Sequence, residues 1–373
     1  MKVAIIMPLA EQRGGAELML MHLLQANRLG PQVEYQVAFL EDGPMVAEAR
    51  DLGYNVRVFP AGHFRDLSRQ IRTIVGLRHW FKQEKMQGVM SWMSKAHLYA
   101  GPAAFLAGIP SVWWQHGIPR TDIIDWWVTR LPAKMVFCCS KAAQAAQQTL
   151  TPLRTTRVIN PAVDLARFDP GLLPTPAEAR RQLELPEKGP LIGIVCRLQR
   201  WKGVHVFLAA AAQVARSHPE VNFVVVGGAH ALEPEYPKAL AEQVQTLGLS
   251  EKAFFAGYQA DSALWMQALD VVVHASVQAE PFGMVVIEAL ALGKLVIASK
   301  AGGPLEVVEE GVDGLLTEPG NVSALAAALN QVLEAHSTHP AMQKAARQKA
   351  RCYGTDRLAT DLAWNLQKIL SKL

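Results

Sequence analysis

Short apolar runs and longer segments of helical period alternate along most of this chain. KVAIIM at 2–7 leads into a turn with Gly14 and Gly15 and then into an apolar-striped segment from Ala16 to Leu29. The alternation continues through VEYQVAFL from 33, VRVF from 56, GVMSWM from 88, SVWWQ from 111 and KMVFC from 134. Runs that are apolar at nearly every position predict strands covered on both faces. Strands of that kind separated by helices predict a parallel sheet with crossover helices.

From Thr156 to Pro186 the pattern lapses, and five prolines punctuate the stretch from Pro161 to Pro186. A second series then runs through LIGIVCR from 191, NFVVVGG from 222, AFFAG from 253, VVVHAS from 271 and KLVIAS from 294. The 373 residues are also too many for one ordinary core. The prediction is two open α/β, Rossmann-like domains, residues 1–165 and 166–355, joined near 161–190. Helical periodicity follows at Val322–Glu334, Met342–Arg351 and Leu358–Leu370. The last helix, within 356–373, either packs locally or returns to the first domain. Such sheets bind ligands beyond the C-terminal ends of their strands, and two facing sheets would enclose a cleft.

Half of the residues are apolar and 19% are charged, which excludes a disordered or low-complexity chain. The 37 Lys and Arg exceed the 33 Asp and Glu, and all of the excess lies in residues 1–165, with 18 basic and 12 acidic side chains. That surplus suits an acidic substrate or a membrane surface and is too weak to predict a nucleic-acid partner. Cys138, Cys139, Cys196 and Cys352 have no metal-ligand spacing and read as buried small apolar side chains in a reducing cytoplasm. The opening hydrophobic run is too short to span a bilayer and lacks the form of a signal peptide, so membrane association would be peripheral.

Three places carry candidate chemistry. Gly14 and Gly15, before a helix, let backbone amides approach an anion, or simply make a tight turn. This is neither a Walker loop nor a GxGxxG fingerprint. In CRLQRWKG, Arg197 and Lys202 follow the first strand of the second domain and are suited to neutralising a diphosphate; solvated surface charge is the alternative. The most informative segment is ASVQAEPFGMVVIEALALGKLVIAS at 275–299. Its loop holds Glu280, Pro281, Phe282 and Gly283, and a helix starting near Gly283 carries Glu288 among Met284, Val285, Ile287, Ala289, Leu290 and Ala291. A carboxylate in such company requires a core ion pair or a ligand.

The Glu280-Pro-Phe-Gly loop with Glu288 resembles the paired-glutamate signature of retaining, nucleotide-sugar-dependent glycosyltransferases of family 4, which have the GT-B fold. GGAE at 14–17, His116 after a strand, RLQRWKG at 197–203 and AGGPLEVVEEGVDGLL at 301–316 support it in order, over nearly the whole chain. The resemblance implies that Gly14 and Gly15 belong to a donor-phosphate loop and that Arg197 and Lys202 grip the diphosphate. It implies that Glu280 meets hydroxyls of the transferred sugar and that backbone groups of Phe282, Gly283, Met284 and Val285 line sugar and phosphate. Glu288 would bind ribose hydroxyls, and His116 would lie near the reacting centre. Catalytic roles thus fall to His116 and Glu280. Ala162, in Asn160-Pro-Ala-Val-Asp, and Trp201 depart from the family's usual residues.

The expected donor is a nucleoside-diphosphate sugar, UDP-sugar before GDP-sugar, with no cofactor. No metal is expected, since the chain has neither DxD nor HExxH. The acceptor is a saccharide or glycolipid, with a small soluble acceptor, or a non-catalytic sugar-nucleotide binding protein, as alternatives. Between Arg57 and Lys85 lie Arg57, Arg65, Arg69, Arg72, Arg78, Lys82 and Lys85 against Asp66 and Glu84. A helix over Leu67–Phe81 would give either an interfacial element for anionic lipid at the inner face of the cell membrane or an ordinary basic surface. Trp113 should pack inward, while Trp126 and Trp127 are candidates for an acceptor wall.

Overall fold

The computed structural model describes residues 1–12, 14–30, 33–62, 66–120, 123–335 and 339–370. Arg65, one of the basic residues singled out above, lies outside them. The chain divides into two compact units, Met1–Ala162 with Thr355–Leu373, and Val163–Gly354.

In the first unit the predicted apolar runs form β1 (Lys2–Met7), β2 (Glu34–Phe39), β3 (Val56–Val58), β4 (Gly88–Trp92), β5 (Ser111–Gln115) and β6 (Met135–Cys138). A seventh strand, β7 (Thr156–Val158), forms at the edge, where the apolar pattern had lapsed. All pairs are parallel, in the order β3-β2-β1-β4-β5-β6-β7. The order reverses direction between β1 and β4, which leaves an opening at the C-terminal ends of those two strands.

Both sheet faces are covered, which explains the unbroken apolar runs. On one face, Leu77, Trp80 and Phe81 of the helix Leu67–Gln83 pack with Tyr99, Ala100, Ala103 and Ala104 of the helix Met93–Ala107. The small residues of the second helix let the first approach closely. Trp113 is buried, as its place in a strand required. The helix Thr355–Leu370 packs against the helix Gly15–Leu29 within this unit. There Leu370 lies against Gly88, and Arg157 donates to the Asn365 side chain.

The second unit repeats the plan with β8 (Leu191–Val195), β9 (Asn222–Val226), β10 (Ala253–Gly257), β11 (Val271–His274), β12 (Leu295–Ser299) and β13 (Leu315–Thr317). The parallel order is β10-β9-β8-β11-β12-β13, so its switch point lies between β8 and β11. Val271 and Val273 pair with Ile192 and Ile194, and their side chains join one core face with Phe207 and Phe223, while Val272 faces the other. The boundary falls at 162/163 and 354/355, a few residues from the division drawn on the sequence. Ala162 stays outside the left-handed region and donates its amide to Met19 Sδ.

Contrary to the expectation from the sequence, not every cysteine is buried. Cys138 and Cys139 are buried and Cys196 is half-buried, but Cys352 is exposed, in a short turn after the helix His339–Ala350.

Candidate active site

The second unit's switch point gathers three loops. The strand β8 runs into 196–203, β11 into 275–283, and β12 into 300–304. Close backbone contacts fix them to one another. The Val277 amide donates to the Trp201 carbonyl at 2.8 Å, and Gly203, at φ +74°, sits so near that a Cβ would lie 1.8 Å from the Ala275 carbonyl oxygen. Gly302, at φ +69°, would place a Cβ 2.1 Å from the Glu280 oxygen, while the Gly303 amide donates to that oxygen at 2.8 Å. Only glycine satisfies both the sign of φ and the lack of space. The glutamate loop is therefore held between its neighbours before any side chain acts.

Glu280 and Lys202, predicted separately, form one buried pair. Lys202 Nζ donates to both carboxylate oxygens, at 2.8 and 2.7 Å. Ser276 Oγ donates to Glu280 Oε2 at 3.0 Å, and His274 Nε2 lies 3.3 Å from the same oxygen. The Ser299 amide donates to His274 Nδ1 at 3.4 Å. Nε2 is thus the ring nitrogen that faces the pair, 3.1 Å from Ser276 Oγ and 3.3 Å from the carboxylate. Burial alone would raise the Glu280 pKa, but the Lys202 charge and the His274 contact outweigh it and hold the group well below the usual carboxylate range. Lys202 Nζ also lies 4.1 Å from the centroid of the Trp201 ring, so that residue shapes the cation's surroundings. Arg197 is exposed. It belongs to the same field: the thiol of half-buried Cys196 is pushed up to about 12 chiefly by desolvation, and then modulated by Lys202, Glu280 and Arg197.

The eight-residue helix Met284–Ala291 begins at Gly283 without a side-chain cap. Its first turn presents amides and the positive end of the helix dipole. Phe282 turns its ring into the core, edge-on to Tyr353 at 5.7 Å, which leaves its backbone on the loop side. Met284 and Val285 are half-buried. Glu288 is 9% exposed, with no side-chain hydrogen bond among the described residues. Desolvation pushes its pKa up to about 7, and the Arg167 charge offsets only part of the rise. The two glutamates thus differ in kind: Glu280 is a paired anion, whereas Glu288 is a buried carboxyl with no ion pair among the described residues.

In the first unit the corresponding end of the sheet holds Gly14, Gly15 and His116. Trp92, at the end of β4, connects them. Its Nε1 donates to the Ala16 carbonyl at 2.8 Å, and its ring stacks on His116 at 5.0 Å. Trp114 lies 4.4 Å from the same imidazole. Desolvation pushes His116 down to about 3, and its Nε2 is buried without a partner among the described residues. It is therefore a neutral imidazole at ordinary pH. Gly14 has extended backbone, and a Cβ there would make an ordinary contact with Glu17 Oε2 at 3.4 Å, so its geometry admits other residues. Trp126 and Trp127 are exposed, and the Arg130 guanidinium lies 3.5 Å from the Trp126 ring centroid.

Sequence reasoning missed His274 and Ser276. The available signal was VVVHAS, a histidine and a serine at the C-terminal end of the strand beside the first strand's cation loop. Among the described residues, no group of three or more His, Cys, Asp or Glu is arranged to hold a metal ion.

Two family models match, the first described as glycosyl transferases group 1 over residues 176–349 and the second as Glycosyltransferase Family 4 over residues 13–167. The chain belongs to this glycosyltransferase family, and its fold is GT-B, with two Rossmann-like α/β domains on parallel sheets. A D-inositol 3-phosphate glycosyltransferase of Corynebacterium urealyticum is 37% identical over 209 residues, 55% of this chain and 49% of that protein. One of Salinispora tropica is 33% identical over 214 residues, 55% of this chain and 44% of the other. The chain spans about half the length of the curated relatives it matches. Anabaena HepE, solved in complex with UDP and glucose, is 28% identical with a TM-score of 0.85, covering 99% of this chain and 100% of that one. A glycosyltransferase from Rickettsia africae shares the fold, at 19% identity and a TM-score of 0.90, covering 100% of this chain and 99% of that one.

Proposed function

We propose that this protein is a retaining glycosyltransferase that moves a hexose-type sugar from a nucleoside-diphosphate sugar to a polysaccharide-precursor or glycolipid acceptor, at the cytoplasmic face of a membrane. The observation that carries the donor half is the buried cluster of Lys202, Glu280, His274 and Ser276 beside the unpartnered Glu288, at the switch point where open α/β sheets take nucleotides. UDP is the favoured nucleotide because the Anabaena protein, 28% identical along its whole length, was solved with UDP and with UDP-glucose.

Breaking the sugar–phosphate bond puts positive character on the sugar and added charge on the departing diphosphate. Groups aimed at that charge lower the barrier. Lys202 spends two donors on Glu280 and keeps a third for a phosphate oxygen. Arg197 and the uncapped amides after Gly283 supply the remaining positive potential. Glu280, held anionic, accepts sugar hydroxyls; Glu288 accepts ribose hydroxyls. Neutral His116 can accept or donate one hydrogen bond near the anomeric centre without adding charge. The acceptor attacks from the leaving-group side, where a diphosphate oxygen takes its proton, so Glu280 is not a nucleophile.

The test is a competition screen of UDP- and GDP-sugars, then acceptor panels with product NMR in EDTA. We expect a product with retained anomeric configuration and turnover that persists in EDTA. Inversion would defeat the stereochemistry. Loss in EDTA with recovery on adding magnesium would defeat metal independence.

Support for a lipid-linked acceptor comes from the first unit. Along the helix Leu67–Gln83, Leu67, Ile71 and Val75 are exposed at helical spacing beside Arg69 and Arg72, and Arg78 donates to the Leu106 carbonyl next to exposed Phe105. No described helix is long and apolar enough to cross a membrane. Replacing Arg69, Arg72 and Arg78 with Gln should weaken attachment to anionic vesicles by roughly a hundredfold, at about 1 kcal/mol per charge. Donor hydrolysis should stay unchanged. The D-inositol 3-phosphate glycosyltransferases among the chain's relatives favour a second reading, a small phosphorylated polyol as acceptor. Absence of vesicle co-sedimentation at low salt, for the unaltered protein, would give that reading precedence.

A further inference from the structure

The opposite end of the second unit's sheet, where its strands begin, holds an open crevice of about 800 Å³ that the donor chemistry does not use. Its walls include the turn Leu292–Lys294 leading into β12, Gln267 ahead of β11, and the helix His339–Ala350. Lys294 is a charged side chain only 7% exposed. Its ammonium donates to the Gln267 carbonyl at 2.8 Å and has no carboxylate within ion-pair distance among the described residues. Burial lowers its pKa to about 8. The nearby Asp270 is already engaged by Arg180 at 2.6 Å and by the Leu191 amide at 2.7 Å.

Three further cations, Lys344, Arg347 and Arg351, line the same crevice, and no acidic side chain does so among the described residues. Arg347 lies over Gly293, where a Cβ would come within 2.9 Å of its Cδ, and its guanidinium reaches Asp169 only at 4.0 Å. Gln267 is 2% exposed. Its amide nitrogen donates to the Pro174 carbonyl, whereas its Oε1 is buried without a partner. An anion entering the crevice would meet one buried cation, whose charge is opposed by burial and by Arg180 and only partly supported by Asp270, and three exposed ones. An unsatisfied buried carbonyl beside them calls for a hydroxyl donor.

We infer that this crevice binds a phosphomonoester of a hydroxyl-bearing small molecule, with Lys294, Arg347 and Arg351 on the phosphate, Lys344 adding charge, and Gln267 Oε1 accepting a hydroxyl. The site is separate from the nucleotide end. The helix Met284–Ala291, about 12 Å long at 1.5 Å per residue, runs from the Glu280 loop to the crevice wall at Leu292.

Calorimetric titration of the full chain with a hexose 6-phosphate, inorganic phosphate and the free hexose, each with and without saturating UDP, tests this. The phosphorylated hexose should bind, inorganic phosphate more weakly, and the free hexose not at all, with UDP leaving the order intact. Lys294→Gln should weaken binding about tenfold, the loss of one charge-assisted contact. The double variant Lys344→Gln with Arg351→Gln, at exposed positions, should do the same while UDP affinity stays unchanged. Absence of binding by the phosphorylated hexose, its displacement by UDP, equal affinity for inorganic phosphate, or unaltered affinity in both variants would overturn the assignment.

Discussion

Glu288→Gln should make the protein more stable above neutrality while weakening its hold on UDP. The carboxyl has an ordinary value of 4.5 and is pushed up to about 7 by desolvation. Below about pH 4.5 it is protonated in both folded and unfolded chains, and burial of the neutral acid carries no charge penalty. As pH rises from there, the unfolded chain releases the proton first, so stability falls until the folded group has also ionised, and the loss is complete above about pH 7. Glutamine has no charge to desolvate. The variant should therefore gain on the order of 1–3 kcal/mol at pH 8 and nothing near pH 4, read from urea melts at both values. A gain of equal size at both pH values would show that packing, not ionisation, caused it. In the same variant one acceptor oxygen becomes an NH₂ donor facing the ribose, and UDP affinity should fall about tenfold in calorimetry. Unchanged affinity would remove Glu288 from the nucleotide site without disturbing the account of its burial.

The pattern that made both sheets legible is the pattern burial on two faces imposes. The strands β1, β8, β9, β11 and β12 are apolar almost throughout because helices cover both sides, and their runs are unmistakable. The strands β7 and β13 escaped notice: β3, an edge strand just as short, was read from the run VRVF, whereas β7 is only half-buried along its length and β13 follows the glycine-punctuated turn EEGVDG. At the site, the residue types were readable but their pairing was not. Lys202 and Glu280 stand 78 positions apart, and only the crossing of the chain that sets β11 beside β8 brings their loops together. The sequence reading sent the lysine to the phosphates and the glutamate to the sugar without foreseeing that the two side chains also pair with each other. His274 was hidden for a different reason: a histidine ending an apolar strand looks like any other, and its partner, the Ser299 amide, comes from the neighbouring strand.

Removing Lys202 while leaving Glu280 should be the costliest single change in the second unit's site. Both side chains are close to nine-tenths buried, and a buried charge stripped of its counter-ion typically costs about 3–5 kcal/mol. Ser276 and His274 still direct hydrogen bonds at the carboxylate, so the lower end of that range is expected for Lys202→Met. The pH dependence should also change sign. With the lysine present, the Glu280 pKa is depressed, its stabilisation is in place above about pH 4.5, and it is lost as pH falls. Without the lysine, desolvation prevails, the pKa rises, and stability should instead decline as pH climbs through the acid range. The double variant Lys202→Met with Glu280→Gln removes both charges and should recover most of the lost stability. Transfer should remain abolished in it, because neither the leaving-group charge nor the sugar hydroxyls would then be met. Thermal melts across pH 4–8 together with turnover separate the two contributions. A double variant as unstable as the single one would show that Lys202 acts through its packing on Trp201 rather than through its charge, and recovered turnover would place the catalytic potential on Arg197 and the helix amides alone.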